Sequence, residues 1–291
     1  MTSLWNDLFG NKDKIDANKY YVRDIMSTIQ ATQGSPHNCD LLADEDVEIA
    51  FLAGAVGYDA YHNLGRFEDR PADRYKKLRF IGFLYPNPNW LVALEWAPDI
   101  KGIRDLKGKR VSVGMLGSQG ELYWQRMMDF LGWTYDDIKA EYTVHGTAID
   151  QVRNRQIDAL LWPDAPTSPS YTEIFQTGFA RALGYDEDII EYMTEDSLDF
   201  PFTIPANTIP GQTDSFKTFA AAAILVSHEN VDKEIIYNTL KSMHENKDYL
   251  VSIFDLAKFI SLEDAHLGQP FPLHAGAEEY YKEIGIRDKF D

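Results

Sequence analysis

Cysteine is all but missing from this 291-residue chain: Cys39 stands alone, which excludes an intrachain disulfide and argues against a zinc site built on thiolates. Cys39 falls within an apolar helical run, where a buried, inert thiol is expected. Cationic side chains are also scarce. Lys and Arg number 28 against 46 Asp and Glu, a net charge of −18, so neither nucleic acid nor an anionic membrane surface is an expected partner. An acidic ligand is still admissible, because backbone dipoles in a pocket act locally while surface charge is screened over about 10 Å. No apolar run reaches the ~18 residues of a membrane-spanning helix, and no signal peptide opens the chain, so direct membrane insertion is not expected. Catalytic patterns are missing too. His37 lies too close to Cys39 in sequence to serve it as a base, and His274 has no acid or nucleophile at a readable spacing. There is no pair of carboxylates, no His–Glu metal spacing and no phosphate-binding lysine loop, so no catalytic residue, metal or cofactor is expected.

What the chain does have is two Gly-Ser turns, each after a β-type run and before a helical one. Thr32-Gln33-Gly34-Ser35 follows Tyr21–Ile29, and Gly117-Ser118-Gln119-Gly120 follows Lys109–Gly114. A strand that turns into a helix at Gly-Ser points free backbone N–H groups at one spot, where the helix dipole favours a carboxylate or phosphate. Two such turns, one in each half, predict an α/β protein of two lobes around a small anion. Ser35 and Ser118 are expected as helix caps and ligand contacts together. Arg79 and Arg110 flank strands, where pairing with a ligand carboxylate and internal salt bridges are both open.

The length suits two lobes, with 44% hydrophobic residues to fill their cores. The pattern predicts a short helix at Ser3–Phe9, a strand through Ala31, a helix to Leu42, a strand over 45–52 and a helix over 58–62. Strands follow at 78–85 and 90–96. The strand-turn-helix order restarts near Ile103, which marks a lobe boundary. Beyond it the pattern predicts a helix over 123–131, strands at 141–144 and 157–162, and a helix over 148–155. Pro163, Pro166 and Pro169 then leave a loop at a strand end, a position that commonly holds ligand in open sheets. The extended stretch 204–211, with Pro205 and Pro210, is the expected return crossing, followed by a strand over 216–226 and helices over 233–243 and 249–254. The division expected is residues 1–90 in lobe I, 91–207 in lobe II, and 208–291 returning to lobe I.

The run Asp105-Leu106-Lys107-Gly108-Lys109-Arg110-Val111-Ser112-Val113-Gly114 with Gly117-Ser118, the turn Thr32–Ser35 with Asn38, and the closing Pro272–Ile286 resemble the TAXI family. Its members are solute-binding proteins of tripartite ATP-independent periplasmic (TRAP) transporters, and the His274-Ala275-Gly276-Ala277 and Tyr280-Tyr281-Lys282-Glu283-Ile284-Gly285 segments select it. The resemblance implies a two-lobed periplasmic binding protein of type II-like fold with two hinge-crossing strands. It also implies closure on a small carboxylate, such as a glutamate-like amino acid or 2-oxoglutarate, and delivery to TRAP membrane permease subunits. The ligand contacts expected are Thr32, Gly34, Ser35, Asn38 and Tyr58 in the first lobe, of which the resemblance carries Gly34, Ser35 and Asn38. In the second they are Gly117, Ser118, Gln119, Gly120, Trp162 and Asp164. Gln119 is open to two readings, a ligand donor or a solvent-facing amide, as Tyr58 and Trp162 are between ligand contact and packing. Asp164 stands where a small residue is common, which favours a ligand with an ammonium group. The family opens with an export signal and a further strand, so this chain is expected to begin at the helix after them and to act in the periplasm. Two other readings stay open: a transferase-type enzyme on the same fold, and a cytosolic ligand sensor.

Overall fold

A computed structural model describes residues 28, 30, 32, 34–195 and 197–291. The helix expected at Ser3–Phe9, the strand expected through Ala31 apart from Thr28 and Gln30, and Gln33 lie outside the described residues. The chain divides into two units, Met1–Tyr85 with Ala222–Asp291, and Pro86–Ala221.

In the first unit, helix α1 (Ser35–Ala43) starts after Gly34, whose φ of 100° is a value that side-chain-bearing residues avoid. Strand β1 (Ile49–Ala53) runs directly into α2 (Gly54–His62). Two side chains fasten α1 to β1: Asn38 Nδ2 donates to the Phe51 carbonyl at 2.7 Å, and Ser35 Oγ accepts from Ala53 N–H at 3.0 Å. Strand β2 (Leu78–Leu94) then spans what the sequence divides into two strands. Pro86 and Pro88 lack an N–H for a ladder, yet their fixed φ suits extended backbone. They sit where the chain leaves the first unit, and antiparallel pairing with the next partner starts after them, at Asn89.

The second unit continues through β3 (Arg110–Ser112), α3 (Gln119–Leu131), β4 (Lys139–Glu141), α4 (His145–Arg153) and β5 (Ala159–Pro163). It ends with α5 (Pro169–Gln176), β6 (Ala180–Leu183), α6 (Glu187–Thr194) and β7 (Phe200–Ile204). β3 lies parallel to both β4 and β5, while β2 lies antiparallel to β5 and β6. Alternation along β2 and β5 builds two cores. Leu91, Ala93, Ala159 and Leu161 join Trp124, Met127, Ile189 and Met193 of α3 and α6. Trp90, Val92, Leu160 and Trp162 join Ala148, Val152, Tyr171 and Ile174 of α4 and α5. Both faces of this sheet are thus covered by helices, the reason its strands read as near-continuous apolar runs. Truncating Leu161, which is fully buried, to Ala costs about 2–5 kcal/mol.

The return crossing is not at 204–211. Pro205 ends β7, and a turn follows that Gln212 closes on itself: Asn207 N–H donates to its carbonyl at 2.9 Å and Thr208 N–H to its Oε1 at 2.9 Å. The chain re-enters the first unit within β8 (Phe216–His228), whose first part pairs with β7 and whose later part pairs with β1, Ala53 opposite Ala223. The first unit is completed by α7 (Lys233–Glu245), α8 (Lys247–Ile253) and α9 (Ala275–Glu283). α9 packs so closely on α7 that a Cβ on Gly276 would lie 2.1 Å from the Lys233 carbonyl oxygen. His274 is spent on this joint: its Nδ1 accepts from Gly276 N–H and its Nε2 donates to the Val231 carbonyl, both at 3.1 Å. Burial lowers its pKa, in keeping with a neutral ring.

Candidate functional site

After β3 the chain passes Val113 and Gly114, turns through Met115–Gly117, and enters α3. Gly114 and Gly117 hold φ of 87° and 74°, and a Cβ on Gly114 would lie 2.8 Å from Ser118 Oγ. Ser118 is the N-cap and its Oγ accepts from Glu121 N–H at 3.3 Å. The buried Glu121 carboxylate in turn accepts from Gly117 N–H at 3.2 Å. These bonds use up two donors of the turn. Among the described residues, the N–H groups of Gln119 and Gly120 find no acceptor. A Cβ on Gly120 would stand 3.0 Å from Trp162 Cβ, so glycine lets the start of α3 lie directly against β5.

A second helix begins beside this turn. The N-cap of α4 is Val144, which has no side-chain oxygen to cap with. Ala148 N–H bonds back to the Val144 carbonyl, and the N–H groups of Gly146 and Thr147 find no acceptor among the described residues. Thr143, just before the cap, is held by two hydroxyl contacts, 3.0 Å to Ser112 Oγ and 3.4 Å to Gln151 Oε1. Since the Thr143 hydroxyl donates to Gln151, the Ser112 hydroxyl donates to Thr143.

The two helix starts line one pocket of about 540 Å³, all within the second unit. Its walls are Gly114, Met115, Ser118, Gln119, Gly120, Thr143, Val144, Gly146, Trp162 and Pro163. None of these carries a charge. The two helix dipoles and the amides without acceptors point at this space, an arrangement that suits a small anion. Ser118, Gln119 and Thr143 add neutral polar groups, and Met115, Val144 and Trp162 add apolar wall. Among the described residues, no group of His, Cys, Asp and Glu is arranged to hold a metal ion.

The sequence model of the NMT1-like family matches residues 14–285, nearly the whole chain. The chain belongs to the NMT1-like family. Solved structures similar to this NMT1-like chain include the alkanesulfonate-binding protein SsuA from Xanthomonas axonopodis pv. citri bound to MOPS. It is 14% identical, with 88% of this chain and 70% of that one covered and a TM-score of 0.44. The GluR0 ligand-binding core from Nostoc punctiforme in complex with L-glutamate is 14% identical over 87% of this chain and 89% of that one, with a TM-score of 0.45. The probable amino-acid ABC transporter extracellular-binding protein ytmK from Bacillus subtilis is 15% identical over 83% of each chain, with a TM-score of 0.44.

Of the residues singled out in the sequence, Ser118, Gln119, Gly120 and Trp162 of this NMT1-like chain line the pocket. Gly117 shapes the turn but is not in the wall, and its N–H is engaged by Glu121. Trp162 also closes a core: it is 1% exposed and stacks on Tyr171 with ring centroids 5.2 Å apart. Asp164 turns into its own loop. Its Oδ1 accepts from Ala165 N–H at 2.8 Å and its Oδ2 from the hydroxyl of Ser168, the N-cap of α5, so the carboxylate braces a turn and is not in the pocket wall. In the first unit, the side chains of Ser35 and Asn38 are taken up by the α1–β1 joint, and Thr32 Oγ1 accepts from Gly34 N–H at 3.4 Å. Tyr58, 39% exposed, lies with its ring centroid 4.0 Å from that of His62. Arg110 pairs internally, its guanidinium on Asp158 at 2.6 Å, and Arg79 pairs with Glu229. Among the residues that sequence reading missed are Thr143, Val144 and Gly146 of the second helix start. Their only signal is negative, a helix that starts without a capping side chain.

Proposed function

We propose that this chain is a receptor for a small carboxylate, working in the periplasm and passing its ligand to the membrane subunits of a TRAP transporter. The observation that carries the anion part is the convergence on one pocket without charged walls of two helix starts, one capped only by Ser118 and one with no side-chain cap, whose Gln119, Gly120 and Gly146 N–H groups find no acceptor among the described residues. Backbone amides fixed in that way stabilise a carboxylate by charge-assisted hydrogen bonds with little reorganisation. The pocket volume of about 540 Å³ is in the range that encloses a metabolite-sized ligand. Support for the transporter part is the likeness of Asp105–Gly114, Gly117-Ser118 and Pro272–Ile286 to TAXI proteins.

The test is thermal unfolding of the full chain with millimolar glutamate, glutamine, 2-oxoglutarate, succinate, phosphate or a short alkanesulfonate. Ligand at about 100 times its Kd adds about 2.7 kcal/mol of stability, a shift of several degrees. A shift with a carboxylate and none with phosphate or sulfonate supports the reading. Silence across the carboxylates refutes it.

A further inference from the structure

Behind the pocket wall a chain of side chains runs from Gln119 into the core. Tyr123, buried one turn further along α3, donates its hydroxyl proton to Asp199 Oδ1 at 2.9 Å and accepts from Gln119 Nε2 at 2.9 Å. Asp199, 9% exposed, precedes β7, with its own N–H on Ser197 Oγ at 3.1 Å. The polarity of this chain is decided at its buried end. An ionised carboxylate only accepts, so Tyr123 must give it the proton, and Tyr123 then has only oxygen lone pairs for Gln119. Gln119 is obliged to offer Nε2, and the group it has left for the pocket is Oε1. We propose that Asp199, acting through Tyr123, is a positioning residue that holds the Gln119 amide with its oxygen toward the pocket, so that the preferred ligand is an anion that also bears a hydrogen-bond donor.

This rests on the anion reading of the pocket and deepens it. An ammonium, hydroxyl or amide N–H on the ligand satisfies Oε1, whereas a keto oxygen or second carboxylate at that point sets two acceptors against each other. Protonation of Asp199 gives it a donor and lets every bond of the chain reverse: the carboxylic O–H donates to Tyr123, Tyr123 donates to Gln119 Oε1, and the NH₂ group turns into the pocket. Burial raises the Asp199 carboxyl to about 7, against the opposing effects of the Tyr123 hydrogen bond and the Arg126 charge. The reversal therefore falls in an accessible pH range. Among the described residues, Tyr123 and Arg126 of α3 are the titratable groups that act on Asp199. Arg126 is itself held by the carbonyls of Tyr192 in α6 and Glu195 at its end, and Phe219 of β8, packed on Tyr123, is neutral.

The first arm of the test needs no ligand. In ¹⁵N–¹H spectra of the full chain, the Gln119 side-chain NH₂ pair is assigned by its disappearance in Gln119→Leu. The pair is expected to shift through a single titration between pH 5.5 and 8.5, to persist without titrating in Asp199→Asn, and to lose its titration in Tyr123→Phe. A pair that ignores pH in the wild type, or titrates equally in Asp199→Asn, overturns the proposal. The second arm compares L-glutamate with 2-oxoglutarate, one skeleton carrying an ammonium or a keto oxygen. The preference for glutamate is expected to fall at least tenfold from pH 8.5 to 5.5, and to lose that pH dependence in Asp199→Asn. If neither binds while the NH₂ pair titrates, the carboxylate reading fails and the amide positioning stands. If both bind in a ratio that neither pH nor Asp199→Asn changes, the positioning fails and the receptor reading stands.

Discussion

Replacing Asp199 with Asn changes one charge and almost no volume, and its effect on stability can be worked out from the surroundings of the carboxyl. Burial lifts this group from 3.8 to about 7, a rise that the Tyr123 hydrogen bond and the Arg126 charge only partly oppose. In the unfolded chain an Asp titrates near its ordinary value. Below about pH 3.8 both states hold the proton. Between 3.8 and about 7 the unfolded chain has released a proton that the native state keeps, and with fewer protons bound in the unfolded state, stability falls as pH rises. The full penalty is reached above about pH 7 and amounts to about 4 kcal/mol, at about 1.4 kcal/mol per pH unit. The substituted amide has no proton to lose and still offers an oxygen to the Tyr123 hydroxyl. The variant is therefore expected within about 1 kcal/mol of the wild type at pH 4.5, and about 4 kcal/mol more stable at pH 8. Urea unfolding followed by tryptophan fluorescence across that range reads the difference, with equal m-values required for the comparison. A difference that stays constant with pH, or that turns in favour of the wild type at high pH, refutes the argument, because it means Asp199 ionises in the native state without penalty.

Three further outcomes are expected. Ser118→Ala removes the cap of α3 and should cost about 1 kcal/mol in urea unfolding, while Ser118→Gly should cost only a few tenths; equal losses would mean that the hydroxyl is not the cap. Gly114→Ala puts a Cβ 2.8 Å from Ser118 Oγ at a φ of 87°, and a loss of about 1–3 kcal/mol with weakened anion binding is expected, whereas an unchanged melting temperature would show that the turn can relax. For Arg110→Ala, burial alone would raise the Asp158 carboxyl, but the hydrogen bonds and charge of Arg110 hold it below its ordinary value. That stabilisation is present above the unfolded pKa and is lost as pH falls through the native one. The variant is therefore expected to lose about 2 kcal/mol at pH 7 and much less near pH 3, and a loss independent of pH would assign it to packing.

The two ends of the pocket differ in how far the sequence exposes them, and the reason is physical. The start of α3 is legible because its devices are chemical: glycines for positive φ at 114 and 117, a serine at the cap, and an apolar alternating run before it. The start of α4 is built by leaving those devices out. Val144 caps nothing, which is why no local pattern marks the helix start, and the Gly146 and Thr147 amides find no acceptor among the described residues. A search for capping residues finds α3, where Ser118 satisfies one donor and leaves others to the pocket, and passes over α4, where no side chain caps. The first unit gives the converse case. Gly34-Ser35 and Asn38 carry the same signal as the second turn, but the oxygen of Ser35 and the amide of Asn38 are consumed in fixing α1 to β1. The return crossing was misplaced for a related reason. Prolines 205 and 210 suit extended chain, but whether an extended segment joins a ladder depends on a partner strand, and the partner of β7 is the part of β8 that follows it across a turn. Asp199 and Tyr123, 76 positions apart, share no periodicity at all. What joins them is the finished unit, which brings α3 against the residue just before β7, so the group that sets the ligand's polarity enters only once the core has formed around it.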